Sequence, residues 1–179
     1  MQLTTLVGME RKSFADMGCS VAQCLETVGD SWTMLIVRDA SNGVTRFDEF
    51  RENLGMPRNT LRDRLAKLVE SGVLVKVPYS DHPPRYDYLL TDAGRDLWPV
   101  LTAMRQWGDQ HGRPDGPIRM AHAACGAPAR TVVICETCGD QLGHGDVTMV
   151  PKASLVRPDP AGRPGRLRAA QPGVTRPVS

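Results

Sequence analysis

The sequence predicts a mainly α-helical domain with one small β-hairpin, an α+β arrangement, followed by a short module that contains cysteines. Three stretches support this prediction. Residues 46–71 show two amphipathic helical patterns that meet at Gly55. Residues 73–90 hold two β-rich segments on either side of a proline-broken loop. Residues 122–139 place histidine and cysteine at close, regular intervals.

Two helices are predicted ahead of residue 46. The first follows Ser20 and covers residues 21–29, with an apolar side formed by Val21, Cys24, Leu25 and Val28. The second, residues 32–40, would begin at Ser31 as its N-cap and send Leu35 and Ile36 into the core. Cys24 is interpreted as a small core residue, because it lies on the apolar side.

The next two helices are short and joined tightly. Residues 46–53 place Phe47, Phe50 and Leu54 on one face. Gly55 can adopt the positive φ that ends a helix, and Pro57 suits the first turn of the next one. That helix, residues 57–71, carries an apolar stripe of Leu61, Leu65, Leu68 and Val69, and Gly72 ends it.

The second helix of this pair also has a polar outer face in its N-terminal half. The face consists of Arg58, Asn59, Thr60 and Arg62. These side chains can read base edges or hold phosphates, and they stand at the positive end of a helix. A solvated helix in some other helical domain would show the same face, so the helix pair alone leaves both interpretations open.

The predicted hairpin favours the interpretation that the helix binds nucleic acid. Strands are predicted over residues 73–77 and 85–90, with a loop over residues 78–84. A hairpin directly after such a helix is typical of a winged helix-turn-helix, in which the second helix enters the major groove. The other basic residues expected around the helix and the wing are Arg46, Arg64, Lys67, Lys76 and Arg85.

A long helix is predicted after the wing, over residues 92–111. Thr91 is expected to be its N-cap, and Pro99 to kink it. Its apolar side is formed by Leu97, Val100, Leu101, Met104 and Trp107. That side is longer than one small domain needs, which predicts a partner helix from a second copy of the chain.

Residues 19–111 resemble the HxlR-type regulators, bacterial relatives of the MarR winged-helix proteins. The resemblance rests on Cys19, the Gly-x-x-Trp-x-x-x-Ile pattern of residues 29–36, Arg46-Phe47, Thr60-Leu61, Arg64-Leu65, Tyr86 with Tyr88, and Leu90-Thr91 before Gly94. It implies a transcriptional regulator, expected to be a repressor, that binds double-stranded DNA as a homodimer on a two-fold operator. Neither a nucleophile–base pattern nor a phosphate-binding glycine loop is present, so an enzyme is not expected.

Two alternatives remain open for the function. A winged helix can serve as a protein-interaction module, because a fold does not determine a function. The chain could also be a thiol-based regulator that responds to oxidants or electrophiles. Some members of the family that the chain resembles sense oxidants through the early cysteine, which is Cys19 here. Its place before the first helix could favour the thiolate. A small-molecule or oxidant effector is therefore a further expectation.

The C-terminal cysteines predict a small zinc-ribbon-like module over residues 118–150. His122-x-x-Cys125 and Cys135-x-x-Cys138-Gly139 could place four ligands around one structural zinc ion, with His144 as a spare fourth ligand. Free thiols are the alternative. A redox Cys-x-x-Cys pair is another, although the βαβ setting of a thioredoxin is missing.

Composition sets limits on the other classes. The 179 residues carry a net charge of +2, and the excess lies in the tail, so charge alone does not indicate DNA. We find no long apolar run and no secretory signal. The odd count of five cysteines argues against a secreted disulfide framework. A cytoplasmic protein without a membrane segment is therefore expected. The predicted divisions are a mobile arm (1–17), the winged domain (18–112), the module (118–150) and a disordered Pro/Gly/Arg-rich tail (151–179).

Overall fold

The computed structural model describes residues 13–112 and 118–151. The chain divides into two compact units, Met1–Arg119 and Met120–Ser179. Most of the expected arm and nearly all of the expected tail, residues 1–12 and 152–179, lie outside the described residues. Within the described ranges, no helix combines the length and apolarity needed to cross a membrane.

The N-terminal unit has the predicted α+β winged helix-turn-helix architecture. Its described residues form six helices and one antiparallel hairpin, in the order α1 (Ser20–Val28), α2 (Thr33–Ser41), α3 (Phe47–Leu54), α4 (Arg58–Glu70), β1 (Leu74–Asp81), β2 (Pro84–Leu90), α5 (Asp92–Arg95) and α6 (Trp98–His111).

One apolar core joins α2, α3, α4 and the start of the hairpin. Its largest fully buried side chains are Phe50, Ile36, Leu61, Leu65, Leu68, Leu74 and Val37. The predicted stripe on α4 thus faces inward. Each such side chain contributes roughly 1.5–3 kcal/mol by leaving water, and this burial holds the outer face of α4 toward solvent.

Gly55 makes the joint between α3 and α4. Its φ of 62° is left-handed, and its N–H donates to the Arg51 carbonyl oxygen, as predicted for a helix-ending glycine.

The start of α2 differs from the prediction, because Ser31 makes no capping hydrogen bond. The helix begins at Thr33, one residue later than predicted, and the Asp30 carboxylate accepts from the Trp32 N–H at 3.0 Å just ahead of it.

The wing is longer, and its loop shorter, than predicted. The strands run from Leu74 to Asp81 and from Pro84 to Leu90, which leaves a two-residue turn in place of a seven-residue loop. The register of the two strands shifts at a bulge between Pro78 and Ser80. β2 also pairs with the segment before α3, where the Tyr88 N–H donates to the Thr45 carbonyl oxygen at 2.8 Å.

The helix predicted over residues 92–111 is two helices, α5 and α6. Thr91 caps α5 as expected, with its hydroxyl oxygen accepting from the Gly94 N–H at 3.1 Å. Pro99 does not kink a continuous helix but lies in the first turn of α6, where its missing N–H costs no hydrogen bond.

Part of the expected mobile arm is attached to α1. The Phe14 N–H donates to the Glu26 carboxylate at 2.8 Å, and the Gln23 side-chain amide donates to the Ala15 and Met17 carbonyl oxygens, each at 2.9 Å. Two side chains of α1 thus bind backbone groups of residues 13–17, and the mobility of the arm stays a prediction.

Candidate functional site

The N-terminus of α4 is open to an anion. Pro57 occupies its N-cap and makes no side-chain capping bond, and no acidic residue lies in the first turn. The first backbone N–H groups of a helix have no intrahelical partner. Exposed Asn59 and half-exposed Thr60 stand beside them. This end of α4 therefore combines N–H donors, a helix dipole and polar side chains.

A groove of about 540 Å³, called the wing groove below, lies between the wing and the N-terminal ends of α3 and α4. Three arginines from different elements, Arg46, Arg58 and Arg85, line it together with Tyr79 and Tyr86. Because the three come from the segment before α3, from α4 and from β2, the fold rather than the local sequence brings them together.

Aromatic rings hold two of these arginines. The Arg46 guanidinium carbon lies 4.9 Å from the centroid of the Tyr79 ring, and that of Arg58 lies 5.2 Å from the Phe47 ring. Such contacts contribute about 0.5–1 kcal/mol at exposed sites. Arg46 also lies near Asp87, with Nε 3.8 Å from Oδ1. The rings orient the guanidinium groups toward the groove without neutralising them.

Lys76 lies on the wing, with its Nζ 3.8 Å from the centroid of the Tyr86 ring. Neighbouring Tyr88 is partly buried, and burial, followed by the proximity of Tyr86, raises the pKa of its phenol. Tyr88 is therefore neutral at physiological pH and adds no negative charge to the basic surface.

Arg62 lies on the exposed side of α4, where its Nη2 contacts the Asp63 carboxylate at 3.1 Å. Both side chains are more than half exposed, so the pair contributes little stability and can be exchanged for another partner at small cost. Arg62 is thus available to a ligand on the outer face of α4, as the sequence predicts.

Arg64 does not belong to the basic surface. Its Nε and Nη2 each contact one carboxylate oxygen of Asp30 at 2.8 Å, and the two side chains are only 25% and 18% exposed. Lys67 lies on the same side of α4, in a groove that Glu26 and Glu70 also line. In the structure this side of α4 faces residues of α1 and the segment before α2, and the contact of both residues with DNA stays a prediction.

Comparisons with known proteins agree with this geometry. The HxlR-like helix-turn-helix family matches residues 27–115. Rv3095 of Mycobacterium tuberculosis, an uncharacterized HTH-type transcriptional regulator, is 47% identical over 136 residues, which are 75% of this chain and 86% of the relative. The chain belongs to the HxlR-like helix-turn-helix family. It is a transcriptional regulator of the helix-turn-helix type, and its family consists of regulators rather than enzymes.

Solved structures and a more distant relative extend the comparison of this HxlR-like chain. The transcription-factor candidate PA1607 is 41% identical, covers 78% of this chain and 99% of its own, and superposes with a TM-score of 0.70. PA1374 of Pseudomonas aeruginosa is 35% identical, covers 77% and 95%, and has a TM-score of 0.58. YdeP of Bacillus subtilis is 31% identical over 59% of this chain and 83% of its own. The alignment with Rv3095 spans 136 residues, so it extends beyond residue 115, where the family match ends. That similarity therefore continues into the C-terminal segment.

Two helices of this HxlR-like domain expose apolar side chains. On α1, Val21 is 67% and Leu25 45% exposed. On α6, the exposed apolar side chains are Trp98, Val100, Met104 and Trp107. Exposed apolar side chains grouped on helices are typical of association surfaces.

Cys19 occupies the N-cap of α1 with an exposed side chain, and Cys24 is half-buried one turn later. Both are free thiols. Cys19 is therefore accessible to reagents, whereas Cys24 is partly packed but is not among the buried core residues.

The C-terminal unit brings its candidate ligands together in pairs. His122 Nδ1 lies 3.2 Å from Cys125 Sγ, and the Cys135 and Cys138 thiols are hydrogen-bonded to each other. Backbone N–H groups of Cys138 and Thr137, together with the Cys138 thiol, lower the pKa of Cys135. Among the residues placed by the structure, no three His, Cys, Asp or Glu side chains form a metal-holding group.

Sequence reasoning missed Asp30 and Tyr79. Asp30 pairs with Arg64 and accepts from the Trp32 N–H, and Tyr79 supports Arg46. Both partnerships join residues more than thirty positions apart, so no local pattern marks them. The only available signal was the presence of an aspartate before α2, a residue type that favours helix N-termini.

Proposed function

We propose that this HxlR-like regulator is a homodimeric repressor that binds a two-fold DNA operator through the outer face of α4 and the wing groove. The observation that carries the proposal is the convergence of Arg46, Arg58 and Arg85 beside the acid-free, uncapped N-terminus of α4. Three guanidinium groups next to free N–H donors match a phosphate backbone.

The outer face and the groove would have different roles on DNA. Asn59 and Arg62 project from α4 where a recognition helix meets base edges, and their amide and guanidinium groups can form paired hydrogen bonds with adenine and guanine. Arg46, Arg58, Lys76 and Arg85 border the helix and would contact phosphates. This division predicts sequence selectivity from α4 and salt-dependent affinity from the groove and wing.

The exposed side chains of α1 and α6 support the homodimer. Trp107, Met104 and Val21 are each more than half exposed, although all three are large and apolar. A second copy related by a two-fold axis would cover them with the same surface. Two α4 helices about 34–36 Å apart would then reach successive major grooves, which requires a two-fold operator.

Selection from a randomised DNA pool, followed by affinity measurements, tests the proposal. The selected site should have two-fold symmetry, and Asn59→Ala and Arg62→Ala should each weaken its binding by about 1–3 kcal/mol. Arg95→Ala is the matched control, because Arg95 also pairs with a neighbouring aspartate but lies on α5. Equal loss in all three variants would reject α4 as the reading element.

Repression is tested separately, with a reporter gene downstream of the selected site. We expect expression to fall when the regulator is produced and to recover with Asn59→Ala. A rise in expression would identify an activator instead. Binding of a protein partner without salt-dependent DNA binding would favour the protein-interaction module.

A thiol-based response is a second candidate function, favoured by the exposure of Cys19 at the N-cap of α1. Oxidant or electrophile treatment should then lower operator affinity in the parent chain and leave Cys19→Ser unaffected. Cys24→Ser is the control. An equal response of Cys19→Ser and the parent chain would exclude Cys19 as the sensor.

A further inference from the structure

We propose that the C-terminal unit binds one zinc ion through His122, Cys125, Cys135 and Cys138, as a ribbon of two equivalent knuckles that the metal closes. This site is separate from the DNA-binding function. Three features support the zinc site: a structural repeat, the lack of buried residues between positions 120 and 151, and the chemistry of the ligands.

The unit contains the same backbone turn twice, thirteen residues apart. His122 N–H donates to the Ala127 carbonyl oxygen, and Cys135 N–H donates to that of Asp140, both at 2.8 Å. One residue past the last candidate ligand of each turn, Gly126 N–H donates to the His122 carbonyl oxygen and Gly139 N–H to that of Cys135, again at 2.8 Å.

The repeat extends to the flanking chain. Isolated bridges join Ala121 to Pro128 and Ile134 to Gln141, at the same offset. Gly126 and Gly139 have left-handed φ angles of 69° and 77°, which only glycine adopts without strain. Two turns with matching hydrogen bonds, bridges and glycines are two copies of one knuckle.

Each knuckle directs its two candidate ligands toward each other. In the first, His122 Nδ1 and Cys125 Sγ are 3.2 Å apart, and in the second the thiols of Cys135 and Cys138 share a hydrogen bond. His122 therefore occupies the position that Cys135 has in the other copy. This equivalence selects His122, rather than His144, as the fourth ligand.

The described residues of the unit, 120–151, form no core of their own. No described residue from 120 to 151 is buried, and Val132, Val133 and Ile134 are each more than half exposed. A segment this small cannot offset the entropy of ordering by apolar burial, so it needs a disulfide, a metal or an equivalent cross-link. A metal shared by both knuckles would supply that cross-link.

The ligand set selects the metal. Three thiolates and one imidazole suit zinc, whereas calcium and magnesium require oxygen ligands. Four protein ligands leave no position for water, so the site would be structural rather than catalytic. Binding would release the three thiol protons to solvent while the neutral imidazole coordinates through a ring nitrogen.

Elemental analysis of the full-length chain, produced without added metal, tests the site. We expect about one zinc per chain, lost on Cys135→Ser and reduced on His122→Ala. Cys24→Ser and His144→Ala are the matched controls and should retain the metal. Loss on His144→Ala with retention on His122→Ala would overturn the assignment of the fourth ligand.

Cobalt titration of the chelator-treated parent chain gives a readout that does not depend on whether a variant folds. We expect a thiolate-to-cobalt charge-transfer band and intense visible bands of tetrahedral cobalt, saturating at one ion per chain. The absence of these bands, or the isolation of a Cys135–Cys138 disulfide from cells, would overturn the proposal.

Discussion

At the scale of single residues, Arg62 and Arg64 show how surroundings assign a role. Both are on α4 and both contact an aspartate. The Arg62–Asp63 pair is exposed, whereas Arg64 and Asp30 are largely buried and form two hydrogen bonds. Because Asp30 also accepts from the Trp32 N–H just ahead of α2, the Arg64–Asp30 pair fastens α4 to the start of that helix.

Arg64→Ala should therefore lower stability rather than sequence selectivity. We expect a loss of about 1–2 kcal/mol in the free energy of unfolding, because a half-buried carboxylate loses its charged partner. Arg62→Ala should unfold within about 0.5 kcal/mol of the parent chain. Denaturant unfolding measures both. A stable Arg64→Ala variant with altered DNA selectivity would restore Arg64 to the reading surface.

The sequence could identify the inward and outward residues of α4, because they follow the 3.6-residue period. It could not indicate the surroundings of Arg64 and Lys67, since Arg64 pairs with Asp30 before α2 and Lys67 shares a groove with Glu26 of α1. The same limit applies to the groove. Arg46, Arg58 and Arg85 were each predicted to contact DNA, but their convergence with Tyr79 depends on the long wing.

At the scale of elements, α5 shows how one glycine sets a packing distance. Gly94 is buried against Val73, just ahead of β1, and Leu90 at the end of β2. A Cβ there would overlap the Val73 carbonyl oxygen, and it would lie 2.9 Å from a Leu90 methyl carbon. The wing is thus anchored at its base by a backbone-to-backbone contact.

Gly94→Ala should destabilise the domain by about 1–3 kcal/mol, as expected for overpacking. Gly108→Ala is the matched control, because a Cβ at Gly108 meets open space within α6. Alanine there should stabilise the helix by up to about 1 kcal/mol. Thermal unfolding of both variants is the measurement. A Gly94→Ala variant as stable as the parent chain would contradict the close approach.

The hairpin and the α5–α6 break mark the limits of prediction for elements. Strand propensity indicated the wing, but prolines at positions 78, 83 and 84 favoured a loop that the structure largely replaces by strands. Pro78 is tolerated because β1 is an edge strand of the two-stranded sheet. Pro99 indicated a disturbance in the last helix, but not that α5 ends at Arg95 and that Pro99 lies in the first turn of a separate α6.

At the scale of the whole molecule, a homodimer would complete the apolar surface of α1 and α6. Trp107→Asp should convert the dimer to a monomer without unfolding it, because the side chain is 65% exposed within one copy. Val75→Asp, at an exposed apolar position on the wing, is the control and should remain dimeric. Sedimentation at micromolar concentration distinguishes the two. A monomeric parent chain would refute the dimer.

The most direct test of the central claim, that the wing groove binds DNA phosphates, is the salt dependence of operator affinity. For the parent chain, the logarithm of the association constant should fall linearly with the logarithm of the salt concentration. Each phosphate contact contributes about 0.9 to the slope, so Arg85→Ala should reduce the slope of a dimer by about 1.8. An Arg85→Ala variant with an unchanged slope and unchanged affinity would contradict the account.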